Sequence, residues 1–285
     1  MKTTVLYKKT PLFEIQADFY PTDRANASVI LYIHGGGFIW GSRSELSEDL
    51  RKFYTEAGFA LFSIDYRLSP ESTLSDILED VQDALLWLTQ EGAERFTINP
   101  EKIAVVGSSA GGFLALSTGT FSSKPKAIVS FYGYGDISSD WAHTPSTHYL
   151  QKDRIPESIA RAQITSLIPT TGSVHERFLF YVYARQTGRW IQEIGTDGCS
   201  LQSLSPIHQI ESDYPPTLLL HGTDDTDVPY EQSVYMRAAL LKKGIPAKLI
   251  TIPNGDHVFE KDFESPMVQQ AFQQVIHFLK THLDI

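Results

Sequence analysis

A serine hydroxyl attacks a carbonyl only when a base takes its proton and a third group orients that base. Gly107-Ser108-Ser109-Ala110-Gly111 offers such a serine. It follows the apolar run Lys102-Ile103-Ala104-Val105-Val106 and precedes Gly112-Phe113-Leu114-Ala115-Leu116, which reads as the start of a buried helix. A G-x-S-x-G turn between strand and helix is so tight that small residues must flank the serine, and its strain pushes the hydroxyl clear of the sheet. Ser109 is therefore the candidate nucleophile. The same pentapeptide also occurs as a plain tight connection, so the rest of the chain must supply its partners.

It does so downstream. His257 sits in the turn-forming stretch Pro253-Asn254-Gly255-Asp256-His257-Val258-Phe259, just after an apolar run ending at Ile252. Asp224, Asp225 and Asp227 follow the run that ends at Leu220. Asp225 is the first choice for the orienting acid, with Asp224 its rival and Asp227 third; all three also suit a turn closed by its own Asx side chains. The other histidines compete less well as base. His277 and His282 fall on the last helix, His143, His148, His175 and His208 in a long segment without strands, and His221 at a strand end, where it is expected to brace the turn.

His34-Gly35-Gly36-Gly37 supplies an electrophilic element directly after the first fully apolar run. Carbonyl attack creates an oxyanion, and donors must already point at that oxygen. Glycines let backbone amides come close with no Cβ in the way. The Gly36, Gly37 and Ala110 amides are the expected donors, each worth about 3–4 kcal/mol of transition-state stabilisation.

These residues need a scaffold that brings distant loops to one edge. Thr4 to Lys9 and Phe13 to Tyr20 alternate apolar with polar side chains, the period of half-exposed strands, and Pro11 breaks them into a hairpin. Residues 28–33, 59–64, 102–106, 127–131, 216–220 and 247–252 read as strands, the earlier ones apolar nearly throughout as if covered on both faces. Helices are expected at 45–57, at 74–88 (where Leu74, Ile77, Leu78, Val81, Leu85 and Leu88 share one face), after Gly112, at 230–243 and near 264–282. This alternation predicts an α/β fold: a mostly parallel central sheet flanked by helices, with an antiparallel hairpin at its start. Between about 135 and 214 no strand is legible, and helices are expected near 157–168 and 173–187. That segment is aromatic-rich and reads as an inserted helical lid within a single domain spanning 1–285.

The chain has 285 residues, 42% of them hydrophobic and 20% charged, with a formal net charge of −10. An acidic balance excludes phosphate-rich partners, so neither nucleic acid nor a membrane surface is expected. The sole cysteine, Cys199, rules out an intrachain disulfide and a thiolate metal cluster. No stretch reaches the roughly 18 apolar residues that a span needs, and the charged N-terminus does not read as a signal peptide, so a cytoplasmic protein is expected.

With these motifs the chain resembles the α/β-hydrolase superfamily, in particular carboxylesterases and lipases with an HGGG oxyanion loop. His34-Gly35-Gly36-Gly37-Phe38 and Asp65-Tyr66-Arg67-Leu68-Ser69-Pro70-Glu71 are similar to its hormone-sensitive-lipase-like branch. The loop from His221 to Pro229 looks more like dienelactone-hydrolase and oligopeptidase relatives, and Ser108 stands where the lipase-like branch carries Asp. The order serine, acid, histidine is that of the superfamily. The resemblance implies Ser109 as nucleophile, Asp225 as acid, His257 as base, Gly36, Gly37 and Ala110 as oxyanion donors, and a bracing role for Asp65-Tyr66-Arg67 near the oxyanion loop. It further implies hydrolysis of small-molecule carboxylic esters of short to medium acyl length through an acyl-enzyme, without metal or organic cofactor. Activity is then expected to fall as pH drops through roughly 6–7. Amide hydrolysis of the arylformamidase or small-peptidase type is the alternative on the same residues, and a non-catalytic ligand-binding protein is the alternative of another class. The sequence leaves a homodimer open.

Overall fold

The computed structural model describes residues 2–285. Eight strands form one sheet in the order β1-β2-β4-β3-β5-β6-β7-β8. They are β1 (Thr3–Lys9), β2 (Glu14–Tyr20), β3 (Ala27–Ile33), β4 (Ala60–Ile64), β5 (Ile98–Ser108), β6 (Ala127–Phe131), β7 (Thr217–Gly222) and β8 (Ala247–Ile252). β1 pairs antiparallel with β2, and β2 with β4; every pairing from β4 through to β8 is parallel. β3, β4, β6 and β7 are buried at every position because helices cover both faces, which is why these runs carry no polar alternation.

Among the described residues there are ten α-helices besides short 3-10 turns: α1 (Glu48–Glu56), α2 (Leu74–Thr89), α3 (Glu91–Phe96), α4 (Ala110–Ser117), α5 (Glu157–Arg161), α6 (Val174–Thr187), α7 (Trp190–Ile194), α8 (Leu201–Leu204), α9 (Glu231–Lys242) and α10 (Pro266–Leu283). Two apolar cores lie on opposite faces of the sheet. One gathers α2, α4 and the helices of residues 135–214, and the other α1 and α10. α2 starts where the sequence places it because Thr73 and Asp76 form a capping box, each closing on the other's backbone amide. The helix expected at 45–57 begins only at Glu48, since the Ser47 hydroxyl accepts from the Leu50 amide and caps it there. The helix after the serine turn begins earlier than expected, at Ala110, and buries all eight of its residues.

Residues 135–214 hold no strand. The helix expected at 157–168 ends at Arg161. Beyond it the Gln163 side chain accepts from the Phe180 amide at 3.0 Å, and Pro169 biases the preceding residue away from helix. α6 dominates the insertion, opened by a Ser173/Glu176 capping box and closed at Gly188 in the left-handed region. The insertion is fastened to the loop that follows β3. Gly41 and Gly172 exchange backbone hydrogen bonds of 2.7 and 3.1 Å, the Trp190 indole donates to the Gly37 carbonyl at 3.2 Å, and Arg177 donates to the Ile39 carbonyl at 2.5 Å. No helix among the described residues is long and apolar enough to cross a membrane.

Candidate active site

The strand-to-helix turn after β5 holds Ser109 at φ 55°, ψ −120°, a strained conformation for a non-glycine residue. Its amide donates to the Phe131 carbonyl at 2.9 Å, which ties the turn to β6. The flanking glycines are required by space. A Cβ on Gly107 would sit 2.1 Å from the Gly111 carbonyl oxygen, and one on Gly111 2.2 Å from the Ile33 carbonyl oxygen. With both neighbours reduced to bare backbone, the chain turns sharply and the serine side chain faces the cavity above the sheet.

The parallel strands end at one edge, and the loops after β5, β7 and β8 meet there. Ser109 Oγ lies 3.1 Å from His257 Nε2, and His257 Nδ1 lies 2.7 Å from Asp225 Oδ2. A carboxylate can only accept, so Nδ1 carries the proton and Nε2 presents a lone pair to the serine hydroxyl. Asp225 Oδ1 accepts from the Asp227 and Val228 amides, both at 2.9 Å. His221 completes its surroundings: His221 Nε2 stands 3.1 Å from the Val228 carbonyl and 3.2 Å from Asp225 Oδ2, while Nδ1 accepts from the Ser233 hydroxyl at 2.8 Å. His221 thus braces both the turn and the acid.

Burial alone would raise the Asp225 carboxyl. The hydrogen bonds from His221 and His257 outweigh burial and hold it well below the usual carboxylate range. For His257, burial favours the neutral ring, but the bond to Asp225 and the fields of Asp227, Asp225 and Glu260 raise its pKa above the ordinary value of 6.5. Among the rival acids, Asp224 is exposed and accepts from the Thr223 hydroxyl at 2.9 Å. Asp227 lines the cavity but is engaged by the hydroxyls of Tyr181 at 2.8 Å and Tyr149 at 3.1 Å and by Arg185 at 3.2 Å.

The His34-Gly35-Gly36-Gly37 loop borders the same cavity as Ser109 and His257. Gly36 and Gly37 take φ of 98° and 60°, and the Gly36 carbonyl accepts from the Ile39 and Trp40 amides at 2.8 and 3.0 Å. A Cβ on Gly37 would meet the Tyr181 ring at 2.6 Å. Ala110 is the first residue of α4, so its amide has no intrahelical acceptor. His34 is fully buried, donates to the Gly35 carbonyl at 2.8 Å and stacks on Tyr66 at 4.2 Å; burial pushes its pKa down to about 4. The Tyr66 hydroxyl donates to the His34 and Gly35 carbonyls, both at 3.0 Å, so Tyr66 braces this loop, while Asp65 accepts from the Arg43 amide and Arg67 donates to Asp76, Glu79 and Asp80 of α2.

The cavity measures about 310 Å³ and has two kinds of wall. Trp40, Val174, Phe178 and Tyr181 form an apolar side built largely by the insertion, while Tyr32, Glu45, Ser108, Tyr132, Glu260 and Lys261 form a polar side. Sequence reasoning missed Tyr149, Tyr181 and Arg185 as partners of Asp227, and Tyr132 and Glu260 beside His257. Only the proximity of Glu260 to His257 in the chain could have pointed to one of them.

Comparison with known proteins adds the lineage. Residues 18–240 match the family model described as BD-FAE. Among curated proteins, the non-reducing polyketide synthase ausA of Emericella nidulans is 29% identical over 343 residues, covering 99% of this chain and 14% of the synthase. Preu6 of Preussia isomera, another such synthase, is 29% identical over 297 residues, covering 90% of this chain and again 14% of its own length. The chain thus spans a small part of the curated relatives it matches. Among solved structures, an α/β hydrolase superfamily protein from Enterococcus faecalis gives a TM-score of 0.80 at 24% identity, with 99% of each chain covered. A protein of unknown function from Staphylococcus aureus gives 0.81 at 25% identity, again over 99% of each chain. An esterase from Thermogutta terrifontis with propionate bound gives 0.70 at 21% identity, over 97% of this chain and 93% of that one. The family match extends over well more than half of the sequence and the sheet is that of the α/β hydrolases: the chain belongs to the BD-FAE family.

Proposed function

We propose that the protein is a serine hydrolase that cleaves carboxylic esters of short to medium acyl length. The observation that carries this reading is the run of contacts from Ser109 Oγ through His257 to Asp225, at 3.1 and 2.7 Å. In the first step His257 Nε2 takes the Ser109 proton as Oγ bonds to the ester carbonyl carbon. Asp225 keeps the ring in the tautomer that can accept it. The Gly36, Gly37 and Ala110 amides receive the oxyanion. His257 then returns the proton to the leaving alcohol, and water activated by the same ring releases the acid from Ser109. Residues 135–214 serve as a cap inserted into a single α/β-hydrolase domain, and their apolar side chains receive the acyl chain.

The length preference follows from size. A cavity of about 310 Å³ lies at the small end of ligand pockets, and Trp40, Phe178 and Tyr181 wall it. An esterase of the same fold from Thermogutta terrifontis is known phosphorylated by paraoxon, which recommends an organophosphorus probe here. The test is an acyl-length series of aryl esters on wild type and Ser109→Ala, with fluorophosphonate labelling of both. Wild type should label and turn over short and medium esters, while Ser109→Ala should lose labelling and at least ~10⁴-fold in kcat. Faster turnover of aminoacyl arylamides than of aryl esters would replace this reading with the amide one. An unlabelled, inactive wild type would end both.

A further inference from the structure

Beside His257 lies a second carboxylate that the mechanism above does not use. The Tyr132 hydroxyl donates to Glu260 Oε1, and the Tyr132 ring packs on the His257 ring with centroids 4.5 Å apart. Glu260 Oε2 is buried and has no hydrogen-bond partner among the described residues. An orphaned carboxylate oxygen costs stability, and a glutamine would accept from the same phenol without burying a negative charge. Such unrelieved costs concentrate at functional sites.

The backbone on both sides carries a related cost. Tyr132 has φ 37° and Val258 φ 62°, and for a β-branched residue the left-handed region is a genuine outlier. The Tyr132 amide is held by the Leu220 carbonyl at 2.6 Å, at the strand end that leads to the acid loop. Two strained residues thus flank a phenol that packs on the imidazole ring and a carboxylate that accepts from that phenol, while Asp225 bonds the ring at Nδ1.

We infer that Glu260 is a positioning residue for the reaction: its carboxylate holds Tyr132 against His257 and gives the imidazolium a further negative neighbour while that ring carries the Ser109 proton. The inference rests on the reading of Ser109, His257 and Asp225 as the reacting groups. Glu260 exchanges no proton in the cycle; the proton moves from Ser109 Oγ to His257 Nε2 and on to the leaving oxygen. Other charged or titratable groups around the ring are accounted for. Asp225 bonds Nδ1, His221 shares that carboxylate, Asp227 is paired with Arg185 from α6, and Lys261 and Glu45 lie on the cavity wall. Burial raises the Glu260 carboxyl, and the Tyr132 hydroxyl opposes that rise by stabilising the anion.

Glu260→Gln keeps an acceptor for Tyr132 and removes the charge. Loss of a negative neighbour makes the imidazolium easier to deprotonate, so the acid limb of kcat/KM moves to lower pH. At one unit below the wild-type midpoint the variant should retain roughly two- to threefold more of its plateau activity than wild type does. Its plateau kcat should fall about 3–10-fold with KM within about twofold. Tyr132→Phe removes the hydroxyl that favours the carboxylate, so it should move the limb in the same direction, and it carries the test if Glu260→Gln does not fold. A wild-type acid limb in both variants overturns the role of Glu260. A wild type that fluorophosphonate does not label overturns the underlying reading instead.

Discussion

Replacing Arg185 by methionine isolates the fastening between α6 and the loop that follows β7. The guanidinium is 4% exposed, stands 3.2 Å from Asp227 Oδ1, donates to the Tyr181 hydroxyl at 3.1 Å and to the Asp227 carbonyl at 3.0 Å. Trp141, Tyr149, Tyr181 and Trp190 surround it, with ring centroids 5.2 to 5.8 Å away. Removing one partner of a buried pair usually costs about 3–5 kcal/mol because the other charge is stranded. Asp227 is 14% exposed and keeps the Tyr149 and Tyr181 hydroxyls, so the cost belongs at the lower end, about 3 kcal/mol. Methionine retains contact with the aromatic rings through its sulfur, which limits the packing loss. At roughly 2–4 °C per kcal/mol for domains near this size, Tm should fall by about 6–12 °C. The assay is thermal and urea unfolding of wild type, Arg185→Met, Asp227→Asn and the double variant. With the stranded charge removed, the double variant should recover about 1–2 kcal/mol relative to the sum of the single changes. Arg185→Met within about 1 kcal/mol of wild type, or strict additivity in the cycle, would refute the reasoning that this pair is the fastening.

Two further outcomes are expected. Asp225→Asn preserves shape but lets the wrong nitrogen of His257 carry the proton, so kcat on an aryl ester should fall about 10⁴-fold; a loss under tenfold would assign the orienting role to another acid. In wild type, the carboxylates around His257 favour its charged form, so kcat/KM should begin to fall at a higher pH than a free imidazole would dictate, with the base form lost as pH drops. A titration of kcat/KM between pH 4 and 9 checks this, and a flat acid side short of unfolding contradicts it.

Much of the scaffold was legible because burial leaves a local signature. β3 and β4 are covered on both faces and read as apolar runs broken only by a serine each, and α2 shows its buried stripe and its cap in consecutive residues. The serine turn was legible for a different reason: a Cβ added at Gly107 or Gly111 would fall 2.1–2.2 Å from a backbone carbonyl oxygen, which leaves no residue but glycine there, so geometry is written directly in residue type. Expectations failed where local preference is weak. The segment after Arg161 has helical composition, yet it satisfies α6 through Gln163 and stays irregular.

Chain order and loop composition narrowed the acid to three aspartates, and no pattern within the loop separates their duties. The assembled edge does so, because β7 and β8 end side by side and bring Asp225 alone within 2.7 Å of His257. Asp227 turns instead to Arg185 on a helix that periodicity placed but could not dock, and Glu260 finds Tyr132 across 128 positions of chain. Secondary structure and the tight turns follow from interactions among near neighbours, which sequence spells out. Which side chains share a charge environment follows from how the sheet orders its strands and where the helices of residues 135–214 come to rest, and neighbouring residues carry no record of that.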